Sequence, residues 1–206
     1  ILITHNSDCL LEEKYKVFKD KNIIHWFSQN LCFSSSEDFS SLPIGLENKR
    51  YQKNGVINHF LRYRNTPKEK YILSSFNEKT NHSRSELISK LENNNLIKSR
   101  NLSSHKEYAK YMSLFKFNLC PEGNGIDTHR FWESLMLNTF PIVERGPMIN
   151  NFEKLGIPAL YLDSWDELKK FDAHALDVIY QNLLNYDYSE FLSLHFWESK
   201  INEKKL

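Results

Sequence analysis

Glycine and proline are scarce in this chain, six of each among 206 residues, and its three cysteines, Cys9, Cys32 and Cys120, show no CxxC or Cys/His spacing. An odd count without such spacing argues against a disulfide framework or a zinc site, so reduced thiols are expected. A surplus of charge is missing as well. With 27 basic against 26 acidic side chains the net charge is +1, which argues against broad polyanion binding, and no nucleic-acid partner is expected. No apolar run approaches the roughly 20 residues of a membrane-spanning helix, and no signal-peptide pattern precedes the first strand candidate. No transmembrane segment is therefore expected, and a cytoplasmic location is favoured. The chain opens on ILIT, mid-strand in character and without Met, as a fragment or a processed product would.

What is present looks globular: 40% hydrophobic, 14% aromatic and 26% charged residues, enough to build a core in one or two domains. Residues 1–4 read as a buried strand followed by the polar loop 5–8. The apolar stripe of Leu10, Leu11, Tyr15 and Phe18 predicts a helix over 10–19. A second strand is expected over 23–27, a Ser-rich loop over 34–41, and an edge segment or turn over 42–46, where Pro43 cannot donate to a central ladder. After a basic, polar stretch with a short helix near 58–63, a domain boundary is placed near Pro67. A new strand follows over 71–76. The next helix, 83–91, is expected to start on a capping box of Ser83 and Glu86. A short strand at 96–97 and a helix capped by Ser103 or Ser104 come next. Beyond them lie strands over 117–120, 139–143 and 159–162, a helix after Ser164, and a largely helical tail. This alternation predicts an α/β fold with a parallel sheet, whose ligands bind outside the carboxyl ends of the strands. The loops 5–8, 77–84 and 122–130 are placed on that edge.

The stretch KFNLCPEGNGIDTHRFWESLMLNTFPIVE, 116–144, concentrates the special chemistry. It reads as strand, glycine-bearing loop, and a helix beginning at Asp127. On that helix Phe131, Trp132, Leu135 and Met136 form a packing face, and Arg130 and Glu133 share the opposite side. Gly123 and Gly125 would let the backbone approach a ligand, the helix N-terminus suits phosphate, and Arg130 offers a forked cation to a diphosphate. Glu133, a turn deeper, suits the vicinal hydroxyls of a ribose. The plainer alternative is a loop followed by a surface Arg130–Glu133 ion pair. Neither Walker A nor GxGxxG is present.

The order F-x-L-C-P-E-G-N-G-x-D-T-H-R-x-W-E-x-L followed by P-I-V resembles the donor-binding segment of exostosin-like glycosyltransferases and related enzymes of the GT-B fold. YILSSFN followed by Arg84 resembles the first strand and phosphate-facing loop of the same domain, and THNSD, WFSQN and LPIGL resemble the end of the acceptor-side domain. The resemblance implies two Rossmann-like domains with a nucleotide sugar between them: a partial or reduced acceptor-side α/β domain over 1–66, a nucleotide-sugar-binding domain over 67–175, and a helical tail over 176–206 that packs back across both. About 65 residues precede the boundary, too few for the usual acceptor domain. By position, Arg84 and Arg130 would face the diphosphate and Glu133 the ribose. Gly123, Asn124, Asp127 and Thr128 would face phosphate or sugar, with Glu122 and Gly125 in the same substrate-binding loop.

Inverting transfer needs a base for the acceptor hydroxyl. Asp8, at the mouth of the first strand, is the first candidate and His5 the second. No DxD-type motif precedes a nucleotide loop, so no metal or other cofactor is expected. The partners implied are a nucleotide-sugar donor and a glycan or other hydroxyl acceptor. A module that binds the nucleotide sugar or a glycan without turnover is the second class the pattern allows.

Overall fold

Parallel pairing requires each connection to carry the chain back to the end of the sheet where the previous strand began. The computed structural model describes residues 1–48, 55–100, 102 and 104–205, and within them two parallel sheets form, the larger with helical crossovers and the smaller joined by a 3-10 turn and a loop. The first contains β1 (Leu2–Thr4), β2 (Trp26–Ser28) and β3 (Phe39–Ser41) in the order β1-β2-β3. The second contains β4 (Lys70–Ser74), β5 (Ile97–Ser99), β6 (Phe115–Leu119), β7 (Phe140–Glu144) and β8 (Leu160–Leu162), in the order β5-β4-β6-β7-β8. Every pairing is parallel. The helices are α1 (Ile57–Leu61), α2 (His82–Leu91), α3 (His105–Met112), α4 (His129–Met136), α5 (Pro147–Leu155), α6 (Ala173–Leu184) and α7 (Leu194–Asn202). The expected α/β class with parallel sheets is thus observed, in a Rossmann-like arrangement. In the larger sheet the chain steps outward from β4 to β5, then returns past β4 to β6, so the winding reverses between β4 and β6.

Burial on both faces explains the near-continuous apolar strands. Ile72, Leu73, Phe117, Leu119, Phe140 and Ile142 have at most 1% of their surface exposed. Helix α4 packs through Phe131 and Trp132 onto Phe152 of α5, with ring centroids 5.7 and 5.4 Å apart, and Trp132 meets Trp197 of α7 edge-on at 6.2 Å. Its C-terminal carbonyls carry partial negative charge and no basic residue of their own turn. Upstream residues supply the donors. Arg64 donates to the carbonyls of Leu135 and Met136 at 3.3 and 3.0 Å, and Lys68 to those of Leu137 and Ser113 and to Thr139 Oγ1 at 2.7, 2.8 and 2.9 Å. Burial, with Arg64 beside it, brings the Lys68 pKa down to about 7.

The two sheets are joined by polar ties. Asn151 of α5, 3% exposed, donates to Phe33 O and Ser41 Oγ at 3.0 and 2.9 Å and accepts from Ser35 N at 2.8 Å. Asn30 accepts from Asp127 N at 3.1 Å and donates to Ser7 O at 3.0 Å. Asp127 in turn accepts from Ile44 N at 2.5 Å.

Several elements differ from the expectation. Over 10–19 only a 3-10 turn forms, Glu13–Phe18, with none of its residues buried, because Val17 and Phe18 have no apolar surface to face and stand 79% and 65% exposed. The expected loop 34–41 ends in strand β3, fixed by tertiary bonds to its serines. Helix α2 is capped by Asn81, whose side chain accepts from Ser83 N at 3.1 Å, so no Ser83–Glu86 box forms, and Glu86 faces His82 instead. Ser104 caps α3 by accepting from Glu107 N at 3.2 Å; the alternative, Ser103, lies outside the described residues. Helix α4 starts at His129 rather than Asp127, and the segment after Ser164 is a 3-10 turn, Trp165–Lys170. Helix α5 was not expected at all, although Pro147 at its first turn and Gly156 in the left-handed conformation (φ 83°) beyond its end are regular boundary residues. The tail is helical as expected, as α6 and α7 with a 3-10 turn, Ser189–Leu192, between them. Tyr180, Tyr188, Phe191 and Trp197 are buried there, while Tyr186 is 46% exposed.

Candidate functional site

Where winding reverses in a parallel sheet, the loops that follow the two central strands diverge and leave a crevice. The loops after β4 and β6 do so here, and a cavity of about 1120 Å³ opens between them. Its walls are Ser74–Lys79 after β4, the glycine loop and first turn of α4 after β6, the first turn of α3, and Asp8 with Ile44 from the side of the smaller sheet. Of the predicted residues, Asp8, Arg84, Gly123, Asn124, Gly125, Asp127, Thr128, Arg130 and Glu133 all line it.

Two do not. His5 is exposed and its Nε2 lies 2.8 Å from Pro43 O; it borders neighbouring hollows and not this one. The Glu122 side chain lines a separate hollow of about 200 Å³ beside Glu144 and Arg145, where desolvation and then Glu144 raise its pKa. Glu122 serves the main cavity only through its carbonyl.

That carbonyl belongs to a clasp. Arg84, 4% exposed, donates Nε to Glu122 O at 2.7 Å, Nη1 to Asn77 O at 3.1 Å and Nη2 to Pro121 O at 3.3 Å. It thereby ties the loop after β6 to the loop after β4. Burial, then the charge of Arg130, lowers its pKa to about 10. Arg130 spends only Nε, on Ser75 O at 3.0 Å, and both guanidinium groups lie over the Phe76 ring, 5.4 and 5.7 Å from its centroid. Among the described residues neither arginine is in a salt bridge. Two adjacent cations facing a hollow without a carboxylate partner form an anion-binding arrangement.

The glycines also serve the fold. A Cβ at Gly123 would stand 3.1 Å from Arg84 Nη2, and one at Gly125 only 2.6 Å from Asn30 Nδ2. They make room for Arg84 and Asn30, and both line the cavity as well. Asp127 is diverted. Its carboxylate, 4% exposed, accepts from Trp132 Nε1 at 3.0 and 3.1 Å as well as from Ile44 N. Burial outweighs these bonds and raises its pKa to about 7. Thr128 occupies the cap position of α4, but its side chain makes no capping bond, so the first-turn N–H groups are not occupied by it.

Glu133 does not stand free beside Arg130. It is 5% exposed, and its Oε1 lies 3.4 Å from His105 Nε2. His105 is a site residue that sequence reasoning missed, together with Tyr108, Lys79 and Arg100, which also line the cavity. The usable signal was the Ser104 cap: a helix that starts after β5 points its first turn at the ligand edge. The His105 side chain is 8% exposed, and its Nδ1 is buried without a hydrogen-bond partner among the described residues.

The chain matches no known family model and no curated protein sequence. What the cavity can hold is set by its own groups. Cationic and N–H donors line it together with a buried carboxylate–imidazole pair one turn further along α4. An elongated molecule with an anionic segment and a hydroxyl-bearing segment fits that polarity. No group of three or more His, Cys, Asp or Glu side chains placed to hold a metal occurs among the described residues, and no helix there is long and apolar enough to cross a membrane.

Proposed function

We propose that this chain is a glycosyltransferase of the GT-B type that binds a nucleotide sugar in the β4/β6 cavity and transfers the sugar to a glycan or other hydroxyl acceptor. The observation that carries this reading is Arg130, half-buried at the first turn of α4 with its Nη groups uncommitted, beside the equally unpaired charge of Arg84. The resemblance of 116–144 to exostosin-like enzymes supports it further.

In this reading the diphosphate lies against Arg130 and the open N-terminus of α4. As the sugar–phosphate bond breaks, the leaving diphosphate gains negative charge, and fixed cations that need no reorganisation stabilise it. Arg84 shapes the loop and adds charge. Glu133 turns from His105 to accept the ribose hydroxyls, which frees His105 Nε2. Asp8, exposed on the facing wall, takes the acceptor proton. His5 does not line this cavity and borders the adjoining hollow instead. The positive charge comes from the protein, so chelators are expected to leave turnover intact.

The test is a panel of nucleoside diphosphates and their sugars, scored by thermal shift and then by release of diphosphate with and without acceptor. Stabilisation by one nucleotide class, with Glu133→Ala removing it, is the expected result. A panel that leaves the melting temperature unmoved ends the donor-site reading. Donor binding without release would make the chain a binding module, and Asp8→Asn with full activity would remove Asp8 as base.

A further inference from the structure

A second hollow, of about 420 Å³, lies beside the first and has a different chemistry. It forms where the segment leaving β3 passes over α4 and meets the turn before α7, and its walls include Leu42, Ile44, Trp132, Met136, Phe191 and Trp197. Its volume falls within the roughly 300–1,000 Å³ of small-molecule pockets. The walls cannot easily collapse inward, since Trp132, Phe191 and Trp197 are 2%, 3% and 8% exposed and engaged in edge-to-face ring contacts. Its polar lining residues among those described are His5, Ser193 and Glu198, and two exposed apolar residues, Ile57 at 51% and Leu194 at 73%, line it too.

The hollow shares a wall with the candidate donor site, since Ile44 lines both. A mostly polar chamber of about 300 Å³, lined by Ile44 and Leu46 as well as by His5, Asn6, Asn48 and His129, adjoins both: it shares Ile44 and His129 with the donor cavity, and His5, Ile44 and Leu46 with the apolar one. Gly45, at φ 64°, turns the chain at this junction, and its carbonyl lies 2.7 Å from His129 Nδ1. From the diphosphate end outward the path therefore runs cationic, then polar, then apolar.

We infer that the acceptor is an amphiphile: a hydroxyl-bearing head that sits in the polar chamber, facing the donor, and an aliphatic chain that lies in the apolar hollow. An extended polysaccharide would need hydrogen-bonding groups along its whole track, and the walls beyond the chamber offer almost none. This inference rests on the donor-site reading for its account of the head group, but the apolar hollow can be tested without it.

Two of the four tryptophans line the hollow, so occupancy is readable by intrinsic fluorescence. The probes are alkyl glucosides from methyl to octyl, kept below their micelle concentrations. Saturable change is expected for the octyl compound and none for methyl, with affinity rising about fourfold for each added methylene. Leu194→Glu and Ile57→Glu, both at exposed positions, should weaken octyl binding at least tenfold while leaving the melting temperature and nucleotide binding unchanged. An affinity that does not depend on chain length, or octyl binding untouched by both variants, overturns the inference. So does sedimentation showing that a second copy of the chain covers the rim. If nucleotides bind and octyl glucoside does not, the amphiphile alone is wrong. If octyl glucoside binds with this chain-length dependence and no nucleotide does, the hollow stands and the transferase reading falls.

Discussion

Arg130 and Arg84 are both arginines in one cavity, yet replacing each by glutamine should have opposite consequences. Arg130 makes one protein hydrogen bond, to Ser75 O, and holds its Nη groups toward the hollow. Arg130→Gln should cost the apo protein about 1 kcal/mol, the net value of an ordinary hydrogen bond. It should cost a bound diphosphate one or two charge-assisted bonds at about 1.5–3 kcal/mol each, so the first alone weakens binding about 10- to 150-fold. Arg84 donates to three carbonyls and is almost fully buried. Arg84→Gln orphans most of those acceptors at about 1–3 kcal/mol apiece, so its loss appears first in stability. Calorimetric titration with nucleoside diphosphates, alongside urea unfolding of the apo variants, separates the two. The reasoning is refuted if Arg130→Gln binds like the parent, or if it destabilises the apo protein as much as Arg84→Gln.

Three further outcomes follow from the geometry. The Asp127 pKa is raised to about 7 from 3.8; the folded chain holds this proton more tightly than the unfolded one, so the stabilisation is full below pH 4 and is lost as pH rises through 7. Asp127→Asn should flatten that part of the stability profile in urea melts at pH 5 and 8. Lys68 has the opposite sign: lowered from 10.5 to about 7, its proton is held less tightly when folded, so stability should rise from pH 7 to 10.5, and Lys68→Met should abolish this slope while orphaning three acceptors. Gly125→Ala presses a methyl onto Asn30, which is fixed by bonds to Ser7 and Asp127, and should cost about 1–3 kcal/mol. Gly146→Ala meets nothing within 4 Å at an extended φ of −166° and should be nearly neutral in the same melting assay.

The strands of the larger sheet were legible because two-sided burial writes itself as apolar runs, as in Phe117–Cys120 and Phe140–Val143. β3 was not, since Phe39–Ser41 owes its place to β2 beside it and to Asn151, more than a hundred residues away in sequence. The stripe over 10–19 was only half used: Leu11 and Tyr15 pack against the cluster of Trp26, Leu31, Phe33 and Phe39, while Leu10 and Phe18 stand exposed, and period alone cannot supply the missing surface. At the site, the glycine loop and Arg130 could be found because they are neighbours in sequence. For His105 the Ser104 cap marked a helix start at the ligand edge, but its pairing with Glu133 was hidden, since only the order β5-β4-β6 brings the start of α3 there. The tertiary partners of Gly123, Gly125 and Asp127 were hidden for the same reason: the groups they accommodate or bind, Arg84, Asn30 and Ile44, come from distant segments.

The ties between the two sheets bear on how the cavity meets its ligand. Asn151 fastens α5 to the strand and loop at 33–41, and Asp127 with Asn30 fastens the glycine loop to 30 and 44. Two such attachments remove the freedom of one sheet to swing against the other, so the cavity behaves as a slot of set width rather than as a jaw. The ordering cost is then met when the chain folds, not when a ligand arrives. A stopped-flow trace of nucleotide binding should be a single exponential whose rate grows linearly with concentration, with no slower closing phase, and the radius of gyration in solution should be the same before and after.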